Sequence, residues 1–206
     1  MTAAPTDPYI FHITHVANLA GILSQGGLWS DGQLLARNVR STNIGYLHIK
    51  QRRMNRPVAT RAGGVLGDYV PFNFCPRSVM LYVVSRGHDD YQGSQADVLH
   101  LVSRVSIATN QGRPWAFSDR HAELSHALHF DDLGRLGAVP WHVMTRATWA
   151  DVKEERQAEF LVRDFFPWTA VIEVATMNHE IARGVQEVLN RIPHQPPVVV
   201  RPEWYY

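Results

Sequence analysis

The sequence has almost no cysteine, no long apolar run and no excess of either charge, and each shortage closes a class of explanation. Cys75 stands alone among 206 residues, so no internal disulfide can staple the chain, which fits a reducing cytoplasm. No apolar stretch reaches the roughly 18 residues that a membrane span needs, and Met1 to Pro8 has neither the basic flank nor the apolar stretch of a signal peptide. A cytoplasmic protein without membrane association is the expectation. Lys plus Arg number 20 against 19 for Asp plus Glu, so the net field attracts no polyanion, and nucleic acid would have to bind a local basic patch. No GxGxxG follows a strand, no HExxH or CxxC is present, and no internal repeat appears. Eleven histidines do not amount to a metal site: of His121, His126 and His129, only the last two would share a helical face, so no metal is expected.

What is there suffices for one compact domain over residues 1–206. Hydrophobic residues make up 45% of the chain, and no stretch has the composition of a linker. Strands are predicted at Tyr9 to Ile13, Asp68 to Phe74 (with Pro71 at an edge or bulge), Val79 to Val84 and Val98 to Val105. Further strands are predicted at Ala158 to Val162, Ala170 to Val174 and Pro197 to Arg201. Val16, Leu19, Ala20 and Leu23 recur at helical spacing after Thr14, a candidate N-cap, and Gly26-Gly27 ends that helix. A second helix is expected over Arg120 to Phe130. The clearest follows Asn178, with Ile181, Val185, Val188, Leu189 and Ile192 on one stripe. The long, mixed segment that follows Phe130 and runs to Arg156 reads as too charged and irregular for core. This order is not the regular alternation of a doubly wound sheet, and it argues an α+β fold with a mostly antiparallel core.

Two polar residues interrupt apolar strands, His12 in Tyr9-Ile10-Phe11-His12-Ile13-Thr14 and Glu159 in Gln157-Ala158-Glu159-Phe160-Leu161-Val162. A polar group on such a strand needs a partner or costs roughly 2 to 7 kcal/mol, so two of them suggest a site. Glu159 is either paired with a nearby arginine such as Arg156 or Arg163, or aimed into a cleft, and the sequence leaves both open. Lys50, Arg52, Arg53 and Arg56 form a basic run. Its bland reading is a solvated helical face, yet guanidinium groups also grip pyrophosphate or a nucleic-acid backbone. Trp115, Trp141, Trp149 and Trp168 read as packing residues.

Six segments in order resemble one family. They are Phe11 to His15 with Asn18-Leu19, Ile49 to Arg53, Gly63 to Phe72, Pro76 to Tyr82, Ser118 to Ala122, and Gln157 to Val162. Together they resemble the DarT family of DNA ADP-ribosyltransferase toxins over nearly the whole chain. The resemblance implies an ADP-ribosyltransferase-like fold, a split mixed β-sheet with flanking helices and NAD⁺ in the cleft. It implies that His12, Ile13 and Thr14 hold the ribose and nicotinamide, with Gly27 and Leu28 bordering the adenosine. Arg52, with Arg53 as the competing neighbour, would contact NAD⁺ and help deprotonate the target base. Glu159 would be the catalytic glutamate, and His121, also counted as catalytic, would open the loop that presents the substrate. Lys50, Arg53, Arg56 and Arg120 would be left to contact DNA. The implied reaction moves ADP-ribose from NAD⁺ to thymidine N3 in single-stranded DNA, and the implied partner is a macrodomain antitoxin, DarG. Guanine, RNA or protein as acceptor, or a non-catalytic single-strand-binding module, are the alternatives.

Overall fold

The alternating run Tyr9–His15 builds strand β1, and a 3-10 turn leads from it into helix α1 (Leu19–Ser24). The cap is His15, whose Nδ1 accepts from Ala17 N–H; the Thr14 hydroxyl, the expected cap, instead accepts from Asn18. Gly26 and Gly27, both at positive φ, turn the chain into β2 (Gly27–Trp29). A side chain on Gly27 would collide with the backbone of Phe166 and Pro167 on the neighbouring strand. Ser30 then caps α2 (Asp31–Ala36), and the basic segment forms α3 (Leu47–Arg53). There follow β3 (Tyr69–Asn73), α4 (Val79–Arg86), β4 (Val98–Arg104), α5 (Val105–Thr109), β5 (Trp115–His121), β6 (His129–Phe130) and α6 (Trp141–Met144). The chain ends through β7 (Ala158–Arg163), β8 (Phe165–Pro167), β9 (Glu173–Thr176), α7 (His179–Leu189) and β10 (Val198–Val200). This computed structural model describes residues 4–206, so the first three residues of the stretch read for a signal peptide lie outside it.

Eight strands form one sheet in the order β10-β9-β4-β1-β3-β7-β5-β6, and β2 pairs with β8 separately. Every neighbouring pair in the large sheet is antiparallel except β10 and β9, which gives the mixed α+β sheet the sequence implies. The split is visible in the register. β1 pairs with β4 over seven residues but meets β3 only at Phe11 and Asn73. Pro71 lies at this seam in a central strand, not at an edge, and having no N–H it could not have bonded to β1 in any case. Phe72, Phe160 and Phe117 lie side by side across β3, β7 and β5 and anchor the main core, onto which α7 packs Val185 and Leu189.

Three expectations fail for physical reasons, and a fourth is displaced along the chain. Val79 to Val84 is helical: Ser78 Oγ caps it by accepting from Leu81 N–H, and Val79, Leu81 and Val84 are buried, so cap and tertiary burial override β-branched propensity. Arg120 to Phe130 is not a helix, because β5 runs on to His121 and a turn leads into β6. The charged segment before Arg156 does enter the core, with Trp141, Val143 and Met144 buried. The strand expected at Ala170 to Val174 begins later, at Glu173, after a 3-10 turn.

A second cluster, around Ile44, Leu81, Tyr91, Val98 and Tyr205, contains the fully buried His100 of β4. Its Nε2 donates to the Pro76 carbonyl at 2.9 Å, and Nδ1 faces the Tyr205 hydroxyl at 3.2 Å. Burial outweighs the Pro76 bond and pulls the imidazole pKa down to about 4. The unfolded chain therefore binds a proton first, and folding loses stability as pH falls from about 6.5 to 4, by up to about 3 kcal/mol. Urea denaturation at pH 7, 5.5 and 4.5 should show this slope, and it should flatten in His100→Asn.

Candidate active site

A cleft of about 330 Å³ opens beside the seam of the sheet. β1 gives it His12, Ile13 and Thr14, β2 gives Leu28 and Trp29, and the inner face of α3 gives Ile49, Lys50 and Arg53. β3 contributes Pro71 to Asn73, and the far wall holds His121, Gln157 and Glu159. At the seam, side chains replace missing ladder bonds: His12 Nδ1 donates to the Pro71 carbonyl at 2.8 Å, and Asn73 Nδ2 donates to the Phe11 carbonyl at 3.4 Å. A carbonyl can only accept, so the Nδ1 proton fixes the tautomer and leaves Nε2 as an acceptor while the ring is neutral. Burial holds the His12 pKa below its ordinary value against the opposing pull of the Pro71 bond.

Glu159 is buried, with 6% of its surface exposed, and both alternatives left open by the sequence hold at once. It lines the cleft and it is paired, but with neither Arg156 nor Arg163. Arg53 Nη1 and Nη2 donate to its two oxygens at 3.0 and 2.9 Å, and Ala122 N–H adds a bond at 3.3 Å. Burial pushes this carboxyl up, but Arg53, His121 and the Ala122 N–H together hold its pKa below the ordinary value. For Arg53, burial disfavours the charge and the adjacent Glu159 more than restores it, so its pKa is raised. Both groups stay ionised. A bulge sets the carboxylate's direction: between Phe117 and His121 the β5–β7 register shifts, and Ser118 Oγ, instead of a β5 carbonyl, accepts from Glu159 N–H at 3.0 Å.

The register of the basic helix is one residue away from the expectation. Successive helical residues point about 100° apart, and it is Arg53, four after Ile49, that faces the cleft. Arg52 points outward, half-exposed, and binds Glu123 through Nε and Nη2 at 2.7 and 3.2 Å. The other expected DNA contacts are dispersed. Lys50 sits in the cleft wall against Asp31 of α2 at 2.9 Å, and Arg56 donates to the Glu123 carbonyl, sharing an outer groove with Arg52, His48 and Asn55. Arg120 is held at the β5 bulge by Asp119. His121, at the end of β5, lines the cleft next to Glu159.

Asn18, Asp31, Asn73 and Ser118 are parts of the site to which the sequence reading gave no role. Asn18 binds both ways to Thr42, Nδ2 to its carbonyl and Oδ1 from its N–H, and so fixes the loop of residues 39–46 that roofs the cleft. The signal that singles out Glu159, a polar residue on an apolar strand, would also have found Asn73, its cross-strand neighbour. Apolar walls with a few convergent polar groups suit an extended dinucleotide. His12 Nε2 and Glu159 can accept from ribose hydroxyls, while Lys50 and Arg53 supply cations for phosphate. Among the described residues no three His, Cys, Asp or Glu side chains gather to hold a metal ion.

Comparison with known proteins decides the family. A family model described as "ssDNA thymidine ADP-ribosyltransferase, DarT" matches residues 11–206. The chain belongs to the DarT family. A DNA ADP-ribosyl transferase of Thermus aquaticus is 43% identical over 206 residues, covering 99% of this chain and 91% of that relative. One from Escherichia coli is 26% identical over 209 residues, covering 98% of this chain and 95% of the relative. Two solved structures of Thermus sp. 2.9 DarT superpose closely. The complex with ADP-ribosylated ssDNA has a TM-score of 0.94 at 40% identity, covering 100% and 99% of the two chains. The complex with NAD⁺ has a TM-score of 0.89 at 38% identity, covering 99% and 100%. The DarT fold of this chain thus places its buried ion pair on the wall of the cleft beside the sheet seam.

The unequal burial of the two arginines gives a stability test. Arg53→Ala leaves Glu159 buried without its counter-charge and should cost about 3 to 5 kcal/mol. Arg52→Ala removes an exposed pair and should cost at most about 1 kcal/mol. Replacing both partners, as in Arg53→Met with Glu159→Leu, should recover most of the loss, and equilibrium urea unfolding of the variants checks all three values.

Proposed function

We propose that this protein transfers ADP-ribose from NAD⁺ to thymidine in single-stranded DNA and releases nicotinamide. The observation that carries the reading is the buried carboxylate of Glu159, held ionised by Arg53 on the wall of a cleft with dinucleotide character. As the bond from ribose C1′ to nicotinamide stretches, positive charge develops on the ribose. A fixed carboxylate in a water-poor cleft stabilises that charge far better than solvent does. His12, Ile13 and Thr14 hold the ribose and nicotinamide, and Leu28 borders the adenosine. Arg53 takes the role that the family pattern suggested for Arg52, but as a lasting cation that fixes Glu159 and meets the NAD⁺ phosphates. Its raised pKa counts against its accepting a proton.

Thymidine as the base is supported by the family to which the chain belongs, and single-stranded DNA by the DNA complex of its Thermus relative. Thymine N3 is hidden by pairing in a duplex, so an unpaired strand is the natural acceptor. The outer groove of Arg52 and Arg56, with Arg120 beyond the bulge, supplies phosphate contacts. A macrodomain antitoxin of the DarG type is the proposed partner. It is supported by the fold-level likeness to a Thermosipho africanus DarTG chain solved with ADP-ribose, of which this chain covers 51% at 20% identity. Action on DNA suits the cytoplasm, and no helix among the described residues is long and apolar enough to cross a membrane.

The test is incubation with NAD⁺ and a panel of oligonucleotides, followed by intact-mass measurement. A single-stranded oligonucleotide with one thymidine should gain one ADP-ribose, while its thymidine-free and duplex counterparts should not. Glu159→Gln, which keeps shape and removes charge, should reduce transfer by roughly a hundredfold or more. Equal modification of the thymidine-free strand would overturn the base assignment, and parental activity of Glu159→Gln would overturn the role of the carboxylate.

A further inference from the structure

We propose that Asp31 selects NAD⁺ over NADP⁺ by accepting a hydrogen bond from the 2′-hydroxyl of the adenosine ribose, an inference that rests on the transfer reaction proposed above. Two carboxylates line the cleft, Glu159 and Asp31. The inner face of α3 joins them with two cations one helical turn apart, Arg53 against Glu159 at 2.9 Å and Lys50 against Asp31 at 2.9 Å. The wall therefore reads carboxylate, guanidinium, ammonium, carboxylate. NAD⁺ reads ribose, phosphate, phosphate, ribose. Glu159 must face the ribose whose bond to nicotinamide breaks, so with the phosphates on Arg53 and Lys50 the second ribose falls at Asp31. The surrounding charges fit that order: the field of Asp31 reaches Arg53 and His12, whereas the charged neighbours of Glu159 are Arg53 and His121.

Asp31 is both reachable and held in place. Its side chain is 32% exposed, and Lys50 meets Oδ1, which leaves Oδ2 to accept from a hydroxyl. The backbone before it is fixed, because the buried Ser30 donates its N–H to the Asp164 carbonyl at 2.8 Å and caps α2 by accepting from Gln33 N–H at 3.3 Å. A 2′-hydroxyl donates to such a carboxylate, whereas the 2′-phosphate of NADP⁺ would set nearly two further negative charges, about −1.5 to −2, against it. Arg40 of the roof loop is the remaining lysine or arginine of the lining. A 2′-phosphate drawn to it would make NADP⁺ a good substrate, and that is the outcome the proposal excludes.

The experiment measures kcat/KM for transfer to a single-stranded oligonucleotide with one thymidine, using NAD⁺, NADP⁺ and an NAD⁺ that lacks the 2′-hydroxyl of its adenosine ribose. Wild type, Asp31→Asn and Asp31→Ala are compared, and the rise in Tm that each dinucleotide causes reads binding apart from transfer. The wild type should prefer NAD⁺ to NADP⁺ by roughly a hundredfold or more, and should lose about tenfold with the deoxy dinucleotide, the worth of one hydrogen bond to a charged group. Asp31→Asn, which keeps the shape and frees Lys50, should raise NADP⁺ relative to NAD⁺ by at least about tenfold. In Asp31→Ala the deoxy penalty should shrink to within about twofold, because the hydroxyl has lost its partner. If Asp31 only tethers α3, both variants lose activity with all three dinucleotides by one factor, and those unchanged ratios overturn the proposal. Should the variants fail to fold, the wild type decides: equal use of NAD⁺ and NADP⁺, or no deoxy penalty, overturns it, and both penalties together support it. Tm shifts that follow the expected order while no oligonucleotide is modified support the role of Asp31 and overturn the transfer reading instead.

Discussion

The site depends on a buried ion pair that holds a helix with little else to hold it. Helix α3 has no fully buried residue, so hydrophobic packing alone does not seat it against the sheet. Its tethers are polar: Arg53 to Glu159, Lys50 to Asp31, Arg52 to Glu123, and Leu47 N–H to the Asp90 carboxylate. Of these, only the first is largely withdrawn from water, with side-chain exposures of 12% and 8%. Surface pairs contribute little, whereas the buried pair must keep both its charges matched or lose several kcal/mol. Arg53 is thus both the lock of α3 and the counter-charge of Glu159, and the stability of the helix and the ionisation of the carboxylate are one property.

The cleft exists because the sheet is interrupted beside this pair. A continuous ladder between β1 and β3 would consume the backbone groups that border a ligand. Pro71 removes one donor, and the strands diverge after a single pairing at Phe11 and Asn73. The loss is repaired by side chains, His12 to Pro71 and Asn73 to Phe11, which fix His12 in the tautomer that offers Nε2 to the cleft. On the other side of β7 the bulge does a related job, with Ser118 in place of a β5 carbonyl at the Glu159 amide. Glu159 pairs regularly with Asn73 of β3 but has the shifted β5 pairing on its other side and the β1–β3 seam one strand beyond Asn73, so the functional face of the sheet lies between two places where its regular hydrogen bonding fails.

Strong local patterns were legible in the sequence, and contests between local and tertiary preference were not. The β1 alternation, the apolar runs of β4 and β7, and the Asn178-capped stripe of α7 all emerge where expected, because period and cap agree with burial there. Val79 to Val84 has the composition of a strand, and the decisive information is a serine one residue upstream and a burial pattern that only the fold reveals. The polar residues His12 and Glu159 stood out because their strands are apolar. Arg52 and Arg53 could not be told apart, since two adjacent arginines on a helix without an apolar stripe leave its inward face undefined. The partner of Glu159 was also out of reach, for Arg53 lies 106 residues away in sequence.

The rigidity of the far wall has its own source, in a second buried guanidinium. Arg156 is 3% exposed and donates to the carbonyls of Val143, Arg146 and Arg77, at 2.6 to 3.4 Å, with no carboxylate partner among the described residues. Five N–H donors in one plane can satisfy several carbonyls of an irregular segment at once, which no neutral side chain can do. The bonds reach α6, the loop after it and the chain just before α4, and they converge one residue before Gln157 and three before Glu159. A charged residue inside a segment too irregular to form regular elements is thus what gives that segment a fixed shape. The chain arrives at β7 already positioned, so the carboxylate is aimed by the covalent path behind it as well as by Arg53 in front.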